Sequence, residues 1–206
     1  DGDLEIFVGS GDGWVYGLDN EGNALSGWPQ FTGVSTGDGV YGVFSSPAVS
    51  DLDGDGKFEV IAGAYSHRIF VWNAEDGTVA EGWPFNNKDT VWSSPAIADL
   101  DGDGNGEIII GCDSTVPQGG ILRVFREGGT EMEGWPQTID QVIWSSPAVG
   151  DIDGDNQLEI VVGTGHFYYG KGEYLSAFER DGSPVEGWPV NFSDGNASTD
   201  NRVFSS

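Results

Sequence analysis

The chain has 206 residues, with 34 Asp and Glu against 8 Lys and Arg and a formal net charge of −26, a balance that repels phosphate backbones and excludes nucleic acid as a partner. The apolar fraction of 37 % is low, but 12 % of residues are aromatic, including 8 Trp, which argues for a packed structure rather than disorder. No run approaches the roughly 18 apolar residues of a membrane helix, so no membrane insertion is expected, and Cys112, the only cysteine, excludes an intrachain disulfide and a cysteine zinc cage.

Read in chain order, the opening DGDLEIFVG gives a short apolar run closed by glycine, followed by the alternating WVYGLD, the turn DNEGN and Gly-Trp-Pro at Trp28. The same order returns three times. The apolar runs are EVIAGA, EIIIG and EIVVG, the alternating segments IFVWN, LRVF and YLSAF, and the turns AEDGT, EGGT and RDGS. Gly-Trp-Pro recurs at Trp83, Trp135 and Trp188, with spacings of 55, 52 and 53 residues. Ser-Ser after an aromatic residue recurs at Ser45, Ser93, Ser145 and Ser205. The repeats therefore run approximately over 1–44, 45–92, 93–144 and 145–204, with a further repeat starting at 205–206. The chain starts inside one copy of an acidic loop and ends just before another would follow. That mismatch suggests either a piece of a longer array or a loop supplied from elsewhere.

Runs of four to six apolar, mostly β-branched residues bounded by glycine read as buried strands, and no window shows a capped 3.6-residue apolar stripe. The aromatic-Ser-Ser-Pro-Ala segment is the fourth strand candidate of each unit. Four short strands per unit of about 50 residues predict an all-β chain, a β-propeller built of four-stranded antiparallel blades. A blade cannot bury both faces alone, so each Gly-Trp-Pro tryptophan is expected to fill a gap between blades. Its proline is expected at an edge strand, where no ladder donor is needed.

Between Ser-Ser-Pro-Ala and each apolar run lies an acidic loop of the form D-x-D-G-D-x-x-x-E. The full copies place Asp51, Asp53, Asp55 and Glu59; Asp99, Asp101, Asp103 and Glu107; and Asp151, Asp153, Asp155 and Glu159. Carboxylates at alternate positions converge only if the backbone coils tightly, which glycine at the fourth and sixth positions permits. Asn156 replaces glycine at the sixth position of the last loop and tolerates the left-handed conformation. So many carboxylates within a few ångströms repel one another without a cation. Hard oxygen ligands in this number suit Ca²⁺. The seventh position, Lys57, Asn105 or Gln157, varies in chemistry, as expected of a backbone carbonyl ligand. The opening residues hold half a loop, with Asp1 and Glu5 as side-chain ligands and Asp3 in the carbonyl slot. An EF-hand is excluded, because its position 12 falls on Ala62, Ile110 and Val162 and its flanking helices are missing.

The stretch VFSSPAVSDLDGDGKFEVIAGA resembles the FG-GAP repeat, the Ca²⁺-binding blade of integrin α-subunit propellers, and repeats of secreted microbial proteins. The resemblance returns four times along the chain. Ser-Ser-Pro stands where Phe-Gly is implied, and Glu closes a loop that often ends in Asp. It implies a propeller with a metal loop joining the first two strands of a blade. Because such propellers usually carry seven or eight blades, four copies imply either part of one or an unusually small one.

Function is expected in the loops. GTGHFYYGKGE groups His166, Tyr168, Tyr169 and Lys171 as candidate ligand-binding residues, able to stack on a sugar ring or seat a partner protein. His67 sits in a similar loop and reads as incidental. Asn191 and Asn196 open glycosylation sequons. No nucleophile elbow, zinc-protease helix or phosphate loop is present, so the chain reads as non-catalytic. The expected role is an extracellular, calcium-stabilised module for binding or adhesion, or a structural surface or assembly module. Its expected partner is a cell-surface protein or glycan, or another copy joined head to tail. The alternatives are a lectin, or the propeller domain of a secreted, lyase-like polysaccharide-active enzyme. No signal-peptide pattern is visible. The extracellular location rests on the weak calcium affinities such modules use outside cells, on the resemblance, and on an acid content tolerable where calcium is plentiful.

Overall fold

The computed structural model describes residues 3–35, 39–165 and 174–192, and they are all-β. A first sheet holds β1 (Ile6–Gly9), β2 (Trp14–Leu18) and β3 (Gln30–Phe31). The second holds β4 (Ala48–Ser50), β5 (Glu59–Ala64), β6 (Arg68–Asn73) and β7 (Phe85–Asn86). The third holds β8 (Ala96–Ala98), β9 (Glu107–Thr115), β10 (Gln118–Phe125) and β11 (Gln137–Ile139). The fourth holds β12 (Ala148–Gly150), β13 (Glu159–Gly163), β14 (Tyr174–Phe178) and β15 (Val190–Asn191). Each sheet is an antiparallel meander in chain order, so the expected blades are present. The first has three strands among the described residues, and β1 lies at its edge, where the other sheets place β4, β8 and β12.

The apolar runs become the second strands because they are sandwiched between neighbours. In β9, Ile108, Ile110 and Cys112 face a core shared with the second sheet, and Ile109 faces a core shared with the fourth. This two-residue alternation explains why EIIIG is apolar throughout. A third core joins the first and second sheets through Val15, Trp28, Val60 and Trp72. Burial between the second and third sheets makes Cys112 inert, with its thiol pushed up to about 12.

Ser-Ser-Pro-Ala contributes only its last residue to a strand, and that strand is the first of the second, third and fourth sheets; the last strand of every sheet begins just after Gly-Trp-Pro. Pro29, Pro84, Pro136 and Pro189 accordingly precede the edge strands β3, β7, β11 and β15. The serines stitch neighbouring sheets together. Ser93 Oγ donates to the Ser145 carbonyl at 2.8 Å, and Ser94 Oγ accepts from the Ser46 amide at 2.9 Å.

Gly-Trp-Pro joins blades as expected. Trp28, Trp83 and Trp135 are buried, and each indole N–H donates across to the next sheet, to the carbonyls of Ala74, Glu127 and Arg180 at 2.8–3.0 Å. The glycine before each is required twice over. Gly82 has φ +86°, and a Cβ there would collide with the Gly128 carbonyl of the third sheet. Gly187 has the same conformation but meets nothing within 4 Å, and Trp188 is only half-buried.

Candidate metal centre

Each full acidic loop joins the first two strands of its blade: 51–58 between β4 and β5, 99–106 between β8 and β9, and 151–158 between β12 and β13. An apolar plug between the first two aspartates anchors the loop, with Leu52 in the core of the second and third sheets and Leu100 in the next. Ile152, the equivalent in the last loop, is 44 % exposed.

The loops coil as the aspartate and glycine pattern requires. The first aspartate reaches over the turn: Asp51, Asp99 and Asp151 each accept from the backbone amide of the sixth position, Gly56, Gly104 and Asn156, at 3.0–3.1 Å. Gly54, Gly102 and Gly154 have φ between +73° and +85°, and Asn156 has φ +68°, so asparagine does adopt the left-handed form there. The amides of Lys57, Asn105 and Gln157 donate to Asp55, Asp103 and Asp155 at 2.7–2.8 Å.

Convergence follows. Carboxylate oxygens of Asp51, Asp53 and Asp55 lie within 4.8 Å of one another, as do those of Asp99, Asp101 and Glu107, and those of Asp151, Asp153 and Glu159. The closing glutamates reach in from the strand side. Glu59, Glu107 and Glu159 each use Oε2 to accept from the backbone amide of Leu52, Leu100 or Ile152 at 2.7–3.0 Å. Glu107 and Glu159 are fully buried, and their Oε1 atoms have no hydrogen-bond donor; Asp51 Oδ1 is likewise buried and unpartnered. Burial pushes the carboxyls of Glu59 and Glu107 up, and the neighbouring aspartates push them further. Buried carboxylate oxygens with no donor are costly to retain. They fit a divalent cation held by oxygen ligands, because a cation satisfies all of them at once. A cleft lined by Asp53, Glu59, Asn73, Glu81 and Glu127 opens beside the 51–59 loop and offers a path to it.

The half loop differs. Asp3 and Glu5 are exposed, so Glu5 lacks the burial of Glu107 and Glu159, and Asp1 lies outside the described residues. His166, Tyr168, Tyr169 and Lys171 also lie outside them, as does Asn196; Asn191 is in β15. His67 is a turn residue with φ +66°, its carbonyl accepting from Asn87 at 2.8 Å.

Two features escaped the sequence reading. Arg126, just after β10, enters the 99–107 loop, with Nη2 at 2.7 Å from Asp101 Oδ2. Asp113 lies on the same strand as Glu107 but toward its far end. The aromatics before Ser-Ser line up beside it: Phe44 stacks on Trp92 at 4.8 Å, and Trp144 follows at 5.9 Å. Phe44 is 53 % exposed and Trp92 and Trp144 are half-buried, so the row is a partly exposed aromatic ladder running from blade to blade. Asp113 Oδ2 accepts from Thr90 Oγ1 at 3.0 Å and Trp144 Nε1 at 3.2 Å. Its signal was an acid placed directly after the apolar EIIIGC run, inside what the structure shows to be the same strand.

Burial pushes the Asp113 carboxyl up to about 7, although bonds from Trp144 and Thr90 pull it down. The folded state then holds a proton that the unfolded chain releases near pH 4, so stability falls as pH rises through that window. Asp113→Asn is expected to remove roughly 2–3 kcal/mol of this loss. Thermal melts at pH 5 and pH 8 measure it; a variant with the wild-type pH dependence would disprove the assignment.

Fold and loops together define a β-propeller-type repeat protein with acidic loops between first and second strands. The comparisons agree. Residues 51–110 match the FG-GAP-like repeat and residues 143–175 the FG-GAP repeat, so the chain carries FG-GAP-type repeats. No curated protein matches it in sequence. Among solved structures it is similar to BamB from Moraxella catarrhalis, with TM-score 0.56 and 16 % identity over 85 % of this chain and 42 % of that one. It is also similar to the PilY1 C-terminal domain of Pseudomonas aeruginosa, with TM-score 0.50 and 11 % identity over 88 % of this chain and 59 % of that one. At these identities the likeness is one of fold, and the chain spans less than two thirds of either structure.

Proposed function

We propose that this chain is an extracellular, calcium-stabilised propeller module that acts in binding, adhesion or surface assembly and performs no catalysis. The observation that carries the calcium reading is the set of buried oxygens without a hydrogen-bond donor, Glu159 Oε1 and Asp51 Oδ1, together with Glu107 Oε1, which only Arg126 Nη1 approaches, at 3.7 Å. Calcium would be held by the three aspartates and the glutamate of each loop, and would cross-link the first two strands of its blade. Lys57, Asn105 and Gln157 would contribute backbone carbonyls, and Asp1, Asp3 and Glu5 part of a fourth site. The acids best organised for chemistry are committed to this structural task, which supports a non-catalytic role.

Assembly is supported by the outer face of the first sheet. There Ile6 and Val8 of β1 are 56 and 45 % exposed, on the face whose counterparts in the second sheet, Val60 and Ala62, pack against the preceding blade. Such an apolar face suits packing by another blade, so a head-to-tail partner fits it. Glycans and cell-surface proteins are the other partners proposed.

Isothermal titration with CaCl₂ tests the metal reading. Asp153→Ala is expected to lose one site and leave the others, since the 151–159 loop shares no carboxylate with its neighbours. A protein that takes up no calcium, or a variant that loses every site at once while remaining folded, would contradict it.

A further inference from the structure

The three full loops carry the same acids, yet they face different residues. Antiparallel register places Asn73 opposite Glu59. One step beyond the Phe125–Ile108 and Phe178–Ile160 pairs, it places Arg126 opposite Glu107 and Glu179 opposite Glu159. The three residues are equivalent in backbone as well. Their amides donate to the carbonyls of Thr78, Thr130 and Ser183, and their carbonyls accept from Gly77, Gly129 and Gly182. The residue across from the closing glutamate is thus neutral in the second blade, cationic in the third and anionic in the fourth.

Asn73 turns to its own hairpin, with Nδ2 donating to Thr78 Oγ1 at 2.7 Å. Arg126 does the opposite. Its Nη2 lies 2.7 Å from Asp101 Oδ2, and its Nη1 lies 3.6 Å from Asp103 Oδ2 and 3.7 Å from Glu107 Oε1. One guanidinium therefore touches three of the four carboxylates that would ligate the ion. We propose that Arg126 is a built-in counter-ion of the third loop. Resting on the calcium reading, the proposal makes the 99–107 loop the weakest of the three: a divalent cation enters it only by displacing the guanidinium.

The physical chemistry is direct. A guanidinium bound to carboxylates forms charge-assisted hydrogen bonds that the incoming ion must break. Once displaced, it remains a like charge beside the ion. Together these are expected to weaken the site roughly tenfold or more relative to the 51–59 and 151–159 loops. Without metal the ranking reverses. The third loop keeps a cation of its own, whereas the fourth adds Glu179 to an uncompensated cluster.

Calcium titration and metal-free melting of wild type, Arg126→Gln and Arg126→Lys form the test. The wild type is expected to show two tighter sites and one weaker. Arg126→Gln should bring the weak site roughly tenfold up into the tighter class while lowering the metal-free melting temperature by a few degrees. Arg126→Lys, which keeps the charge, should restore that melting temperature and leave the site weak. Three equivalent sites in the wild type, a weak site unmoved by Arg126→Gln, or an unchanged metal-free melt would each overturn the proposal while leaving calcium binding intact. Absence of calcium binding in all three proteins would instead overturn the calcium reading, and this proposal with it.

Discussion

Removing calcium is expected to lower the melting temperature of this chain by about 10 °C, through loops that hold buried carboxylates without donors. At calcium ten to a hundred times Kd, each bound site contributes about 1.4–2.7 kcal/mol. The 51–59 and 151–159 loops, whose carboxylates form no ion pair among the described residues, therefore give about 3–5 kcal/mol together. For a domain near 200 residues, 1 kcal/mol shifts the melting temperature by about 2–4 °C. The measurement is a thermal scan in 10 mM CaCl₂ against the same scan in EDTA. Coincident curves would rule out a calcium-stabilised fold. If sodium chloride of equal ionic strength protects as well as calcium, screening of the −26 charge explains the effect and coordination does not.

The repeat made most of the fold legible. Apolar runs of fixed length and glycine-bounded turns identify strands at any position, because buried second strands need apolar residues on both faces. The metal loop was legible for a related reason: its chemistry is local, with ligands two residues apart on one coiled segment. What lies across the sheet is non-local, and there the sequence reading stopped. Arg126 stands 19 residues after Glu107 in the sequence, and only strand register brings them together. Aligning the turns DNEGN, AEDGT, EGGT and RDGS on their glycines puts Asp19, Arg126 and Glu179 in one column, but with Ala74, because the second turn is one residue longer; only the strand register identifies Asn73 as their counterpart. The long β9–β10 hairpin was hidden differently. Val116-Pro117 at its tip reads as a loop, yet the strands pair out to Thr115 and Gln118.

Trp83→Ala is expected to be the most damaging single substitution of the Gly-Trp-Pro set, at about 3–5 kcal/mol of stability. The indole fills the space between the second and third sheets, edge-on to Phe125 at 5.4 Å, in the core that also holds Leu52 and Ile108. Removing it leaves a cavity where neither sheet can collapse without moving the other. The polar end matters separately. Trp83 Nε1 donates at 2.8 Å to the carbonyl of Glu127, the residue after Arg126, so the indole fixes the turn that aims the guanidinium at the 99–107 loop. Trp83→Phe keeps most of the volume but leaves that carbonyl without its donor, and is expected to cost about 1–2 kcal/mol. Trp188→Ala is the internal control: its ring is half-buried, so its loss should be under about 2 kcal/mol. Urea unfolding in saturating calcium resolves the three variants. Equal destabilisation by Trp83→Ala and Trp188→Ala would mean that the tryptophans stabilise their own hairpins rather than the junction between blades. A larger loss from Trp83→Ala than from Trp83→Phe, with Trp188→Ala below both or near the smaller, identifies the junction between blades as the seat of stability.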